Sequence, residues 1–191
     1  TAGLHLTPAL LDRVVDRGCT LVKVSLEVGA GTFKPVETED LDQHVMHRER
    51  CFLESEALER IGEADQARRN GTGRIVAVGT TSVRTLESLP VRPPEEGPSG
   101  EPLAWATDLL IQPGHRFRRV DALLTNFHLP KSTLLALVAA MTGLERIRHV
   151  YEEAIRRRMR CSDGIEWNRI ELNSIQLSSI QLQFECNPNS F

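Results

Sequence analysis

Apolar positions along the chain switch repeatedly between helical and strand periods. Thr7-Pro8 offers an N-cap followed by proline in the first turn, and LLDRVVDR then runs to Gly18, a residue suited to a helix end. This predicts a short amphipathic helix. Thr20 to Val28, TLVKVSLEV, alternates apolar and polar residues and is rich in valine, so it reads as a strand. It empties into Gly29-Ala30-Gly31-Thr32-Phe33, where the glycines admit positive φ or close approach of backbone. From Thr38, TEDLDQHVMHRER reads as a loop turning into a helix start. Ser55 is placed to cap a further helix, EALERIGEADQARRN, that ends at Gly71 and Gly73.

The second half repeats the pattern. Arg74 to Gly79, RIVAVG, is a short apolar run bounded by glycine, consistent with a buried strand, and it opens into TTSVRTLES, Thr80 to Ser88. Residues 90–103 are too rich in Pro, Gly and Glu to pack and predict a surface loop. Thr107 to Ile111 and Val120 to Leu124 read as strands, separated by a turn over Gln112 to Phe117. Ser132 to Met141 is an apolar helix ended by Gly143, and a basic helix follows to about Arg160. Alternation of strand, corner and helix predicts an α/β fold of parallel βα units, barrel-like and partial. Ligands of such folds bind at the carboxyl ends of strands. The Gly29 loop, the Thr80 corner and the corner TNFHLPKST, Thr125 to Thr133, all follow strands, so all three can line one pocket.

Each corner alone has a bland explanation. At the third, Pro130 can simply sit in a first turn while Ser132 and Thr133 satisfy local donors. Likewise Arg84 can merely pair with Glu87, and His5 can be a core histidine. His44 and His47 are one turn apart, yet no third ligand stands at a telling spacing, so packing or hydrogen bonding is expected of them and no metal is implied. The sequence LEVGAGT, Leu26 to Thr32, evokes the glycine turn of Rossmann-type methyltransferases. That motif wants a third glycine and an immediate helix, where Phe33 and Pro35 stand here.

Composition narrows the class. With 40% apolar and 26% charged residues, the chain is an ordinary α/β protein, and no apolar run approaches a membrane span. It starts at Thr1 and enters a patterned segment at once, which points to a piece of a larger domain. Cys19, Cys51, Cys161 and Cys186 form no CxxC pair and fit reduced thiols in a cytoplasmic protein. The net charge of −3 is uneven: from Gln112 to Arg160 ten basic residues face four acidic ones. A basic stretch on an acidic chain points to a polyanion partner, against the simpler reading of a solvated helix face for Arg156 to Arg160.

Five stretches taken together carry a resemblance: TAGLH, Thr1 to His5; VGAGTF, Val28 to Phe33; HVMHRE, His44 to Glu49; VAVGTTSVRTLES, Val76 to Ser88; and VDALLTNFHLPKSTLLALV, Val120 to Val138. In this order they resemble the S-adenosylmethionine:tRNA ribosyltransferase-isomerase family of queuosine biosynthesis. The resemblance covers about residues 1–160 and matches the C-terminal part of the family's α/β catalytic domain, without the β-barrel domain that the family inserts before TAGLH. It implies transfer of the ribosyl group of S-adenosylmethionine, used as co-substrate, to 7-aminomethyl-7-deazaguanine at the tRNA wobble position. Adenine and methionine leave, and epoxyqueuosine forms. A Rossmann-type methyltransferase and a non-catalytic RNA-binding remnant are the alternatives.

Under this resemblance His128 is the residue for proton transfer, with His5 as alternative and Glu27 near the sulfonium or a hydroxyl. Gly29, Gly31, Thr32, Thr80, Thr81, Ser82, Arg84, Asn126, Lys131, Ser132 and Thr133 are expected to bind the co-substrate or a tRNA phosphate. Arg116, Arg118, Arg119, Arg156, Arg157 and Arg158 are expected to face the anticodon stem-loop of tRNA, with the protein a monomer and no membrane involved. Residues 161–191 depart from the family, which ends on an aromatic RFFSYGDAM-like segment. Here NSIQLSSIQLQFECNPNSF repeats with a five-residue period, as translated pentanucleotide repeats or a shifted frame would.

Overall fold

The first helix, α1 (Pro8–Asp16), begins as its sequence requires: the Thr7 hydroxyl accepts from the Leu10 N–H at 3.3 Å, Pro8 fills the first turn, and Gly18 follows at φ +84°. In the computed structural model, residues 2–29, 36, 40–91, 102–157 and 159 are described. A 3-10 turn, Ala2–His5, precedes α1. From Leu21 to Glu27 the expected alternation holds, with Val22, Val24 and Leu26 half-buried between exposed neighbours. Only Ser25–Glu27, strand β1, finds a ladder partner.

That partner is a correction. Residues expected to start a helix instead form a 3-10 turn, Leu41–Gln43, and then strand β2, Glu49–Leu53. Glu49, Cys51 and Leu53 point inward, each 1% exposed or less. An ionisable residue in the first inward slot hides the period-2 pattern, because burial of a charge is expected only where a partner neutralises it. Helix α2 (Ser55–Arg69) follows at once. Glu54 occupies its N-cap without a side-chain bond, so Ser55 is the first helical residue and not the cap.

Strand β3 (Val76–Val78) and helix α3 (Thr80–Ser88) fall where expected, but β3 is not the buried strand its apolar run suggested: Ala77 is buried, while Val76 is 58% exposed. Strand β4 spans Leu103–Thr107, so the strand expected over Thr107 to Ile111 ends where it was expected to begin; most of the expected surface loop is outside the described residues. Strand β5 (Ala122–Leu124), helix α4 (Thr133–Thr142) and helix α5 (Leu144–Arg156) complete the order. Gly143, at φ +84° and ψ 150°, ends α4 and starts α5, a turn that only glycine adopts without strain.

The α/β class is observed, but parallel pairing is confined to one of two sheets. β1, β2 and β4 form an antiparallel sheet in that order, with Cys51 opposite Leu26 and Trp105. β3 and β5 run parallel, with Ala77 opposite Leu123. Helix α3 touches β1, β3, β4 and α4 and so joins the two sheets. Its Val83 and Leu86 pack with Leu53, Ile61, Ala77, Ile111, Val120 and Leu137 in the main core. A second cluster, Leu135, Ala139, Ile147 and Tyr151, holds α4 to α5. Cys51 is fully buried, and burial pushes its thiol pKa up, as expected of an inert core cysteine.

Candidate functional site

Because β3 and β5 are parallel, their carboxyl ends lie side by side. The Gly79 N–H donates to the Leu124 carbonyl at 2.8 Å, and the chain leaves both strands in the same direction. Gly79 sits at φ +89° and ψ 147°, a conformation L residues rarely adopt, and it opens α3 with no side-chain cap. The first amides of α3 therefore meet the hydroxyl-bearing residues Thr80, Thr81 and Ser82. Of these hydroxyls, Ser82 Oγ donates to the Val78 carbonyl at 2.8 Å. Uncapped helix amides with neighbouring hydroxyls suit an anionic group.

The neighbouring corner is built differently. Lys131 is the one non-glycine residue with positive φ, +55°, among the described residues, and its side chain is exposed. Ser132 accepts from the Leu135 N–H at 3.2 Å and donates to the Leu129 carbonyl at 2.7 Å, so it is the N-cap of α4. Thr133 is buried. The local reading thus accounts for Ser132. His128 is half-buried, with its Nε2 3.1 Å from Thr125 Oγ1. The Tyr151 hydroxyl, from α5, donates to the His128 carbonyl and accepts from its N–H, both at 2.9 Å. Asn126 Nδ2 is buried with no hydrogen-bond partner among the described residues.

The third corner joins through side chains. Glu49 Oε1 accepts from the Gly29 N–H at 3.0 Å, while Oε2 pairs with the Arg84 guanidinium. Arg84 is 4% exposed; its Nε donates to the Leu109 carbonyl at 3.3 Å, and its Nη2 has no partner among the described residues. Beyond the Gly29 loop, the Val36 N–H donates to the Lys131 carbonyl at 2.8 Å. The three corners therefore meet, although β1 is antiparallel: Gly29 reaches the site through Glu49, not through the geometry of a parallel sheet. Arg84 pairs with Glu49, not with Glu87. Glu49 and Tyr151 were not singled out by sequence. A glutamate in the inward register of a strand marks the first, and Ile147, Tyr151 and Ala154 at helical spacing mark only packing for the second.

Other expected residues lie elsewhere. Glu27 is exposed and faces Arg50 at 3.8 Å. His5 is exposed, which is not the environment of a core histidine. Gly31, Thr32 and Arg158 are outside the described residues, as are residues 161–191. Arg118 and Arg119 hold the far end of α3: Arg118 Nη2 donates to the Glu87 carbonyl at 2.7 Å, and Arg119 Nη1 to the Leu89 carbonyl at 2.9 Å. Burial lowers the Arg119 pKa from its ordinary value. Arg156 and Arg157 both bind Glu153, and these bonds hold its carboxyl down at about 2. Arg116 is exposed. Among the described residues no cluster of three His, Cys, Asp or Glu side chains is placed to hold a metal, and no helix is long and apolar enough to cross a membrane.

β1 also bears on the methyltransferase alternative. The glycine turn of that fold follows a strand of a parallel sheet, whereas among the described residues β1 pairs with β2 alone, and antiparallel.

Comparison with known proteins agrees with the five-motif resemblance. The family model for queuosine biosynthesis protein matches residues 1–162. The S-adenosylmethionine:tRNA ribosyltransferase-isomerase of Symbiobacterium thermophilum is 52% identical over 160 residues, 84% of this chain and 45% of its own length. That of Bradyrhizobium diazoefficiens is 53% identical over 155 residues, 81% of this chain and 40% of its length. The crystal structure of the S-adenosylmethionine tRNA ribosyltransferase from Thermotoga maritima superposes with a TM-score of 0.61 at 39% identity, over 82% of this chain and 47% of that one. The chain spans less than half the length of these relatives, and across residues 1–162 it belongs to the queuosine biosynthesis protein family.

Proposed function

We propose that residues 1–160 are the C-terminal part of the catalytic domain of an S-adenosylmethionine:tRNA ribosyltransferase-isomerase acting in the cytoplasm on the wobble nucleotide of tRNA. The observation that carries this reading is the meeting of three corners at α3 and β5, with two buried donors, Arg84 Nη2 and Asn126 Nδ2, left without protein partners among the described residues. A buried unpaired donor costs about 1–3 kcal/mol, so such groups are expected where a ligand supplies the acceptor.

The donor set suits S-adenosylmethionine, which supplies, when bound, a ribosyl group made reactive by its sulfonium. Arg84 and the uncapped amides of α3 would take its carboxylate or a phosphate, with Thr80 and Thr81 hydroxyls and Asn126 for ribose oxygens. His128 would move the proton at the ribosyl carbon or at adenine, since an imidazole exchanges protons near neutral pH. Lys131 adds an exposed positive charge at the rim. For tRNA, exposed Arg116, Arg146 and Arg148 are better placed than Arg118 and Arg119, whose guanidinium groups hold α3. Phosphate contacts by these arginines would make binding fall steeply with salt.

The test uses a protein that spans the full length of the relatives and carries these residues. Given S-adenosylmethionine and tRNA bearing 7-aminomethyl-7-deazaguanine, it should release free adenine. Release of S-adenosylhomocysteine would mark a methyltransferase instead, and tRNA binding with no small-molecule product would mark a non-catalytic binder.

A further inference from the structure

The side chain proposed for proton transfer is held at two points that no sequence motif marks. On one side, Tyr151 reaches from α5 so that a single hydroxyl accepts from the His128 N–H and donates to the His128 carbonyl, both at 2.9 Å. Tyr151 is only 2% exposed, and its ring meets Phe127 edge-on at 5.4 Å between centroids. The corner from Thr125 to Lys131 has neither helix nor strand, so its peptide groups need outside partners. Tyr151 provides both for His128 and thereby fixes the backbone from which the imidazole projects. On the other side, Thr125 Oγ1 lies 3.1 Å from His128 Nε2. A hydroxyl can donate to a ring nitrogen or accept from its N–H, so Thr125 fixes where the ring points whichever tautomer it carries.

We infer that Thr125 and Tyr151 are positioning residues for His128: Thr125 holds the imidazole by its Nε2, and Tyr151 sets the place of its backbone. The inference rests on His128 being the proton-transfer group. Both residues act on the ring's position and orientation, so their loss lowers turnover more than binding.

The test uses the full-length protein and the adenine assay, with Thr125→Val, Thr125→Ser, Tyr151→Phe and His128→Gln. Tyr151→Phe keeps the buried ring and loses only the hydroxyl; Thr125→Val keeps the shape and loses the ring contact. Each should lower kcat about ten- to a hundred-fold and leave KM for S-adenosylmethionine within about two-fold, while Thr125→Ser restores most of kcat. NMR relaxation of the His128 imidazole should report an ordered ring in the parent protein and a more mobile one in Thr125→Val. If His128→Gln abolishes release while Thr125→Val and Tyr151→Phe retain it, or if Thr125→Val leaves the ring as ordered as in the parent protein, the positioning role is overturned and His128 stands. If His128→Gln retains release, the proton-transfer assignment itself falls and the inference with it.

Discussion

The two ends of helix α3 make opposite use of the same residue types. At its C-terminal end the Glu87 carboxylate and the arginines around it are all bonded, and the buried atom left without a hydrogen bond among the described residues is His115 Nε2, 3.5 Å from Glu87 Oε2. The Glu87 carboxylate accepts from the backbone N–H groups of Arg118, Arg119 and Val120 at 2.8–2.9 Å, and the two arginines return their guanidinium groups to the carbonyls of Leu86, Glu87, Leu89 and Pro90. From mid-helix towards its N-terminus, Glu49 also pairs with an arginine, but among the described residues Arg84 keeps one buried N–H unpaired and the helix has no side-chain cap. The difference separates architecture from site. A satisfied cluster holds elements together, whereas one that leaves donors open is arranged for something that is not part of the protein.

The variants that challenge this contrast differ in expected size. Arg84→Met leaves the Glu49 carboxylate buried without its guanidinium, and should cost about 3–5 kcal/mol in urea unfolding as well as weakening S-adenosylmethionine binding. A loss below about 1 kcal/mol would show the pair to be energetically idle. Glu87→Ala strands three backbone donors and should cost about 3 kcal/mol or more in the same measurement, with ligand affinity of the folded fraction unchanged. Gly79→Ala meets open space, so any cost is conformational. Holding φ at +89° should lower stability by about 1–3 kcal/mol, and an unchanged melting curve would mean that the turn relaxes freely.

Smaller effects test the neighbouring elements. Ser132→Ala removes the α4 cap and should cost about 1 kcal/mol with adenine release intact; a collapse in release at full stability would restore Ser132 to the site. At α5, Arg156 and Arg157 hold the Glu153 carboxyl at about 2, below its ordinary 4.5. A carboxyl depressed on folding adds stability that is present above the unfolded value and is lost as the pH falls through the folded one. The end of α5 should therefore loosen between about pH 4.5 and 2, and high salt should shrink the effect at this exposed site. An NMR titration of Glu153 with a midpoint near 4.5 would contradict the pairing.

Periodicity and capping made much of the fold legible. Thr7-Pro8, the RIVAVG run and Ser132 behave as local rules require, because each is decided by neighbours in sequence. What stayed hidden depended on distant partners. Glu49 reads as surface charge until Arg84 lies beside it, so β2 passes for a helix start. Arg118 and Arg119 read as an RNA-facing pair until α3 presents its carbonyls to them. Tyr151 reads as core, since nothing local announces that its hydroxyl reaches back 23 residues to His128. Of the site, the corners were legible from glycine, hydroxyl and proline chemistry, and the bonds that join them were not.

The claim that α3 is open for a ligand at one end and closed for structure at the other is tested most directly by calorimetric binding of S-adenosylmethionine to the full-length protein, comparing Arg84→Lys with Glu87→Gln. Arg84→Lys keeps the charge but loses the fork of donors, and should weaken binding about ten-fold or more, while Glu87→Gln should leave the affinity of the folded protein unaltered. Equal affinities in Arg84→Lys and the parent protein, or a loss confined to Glu87→Gln, would contradict it.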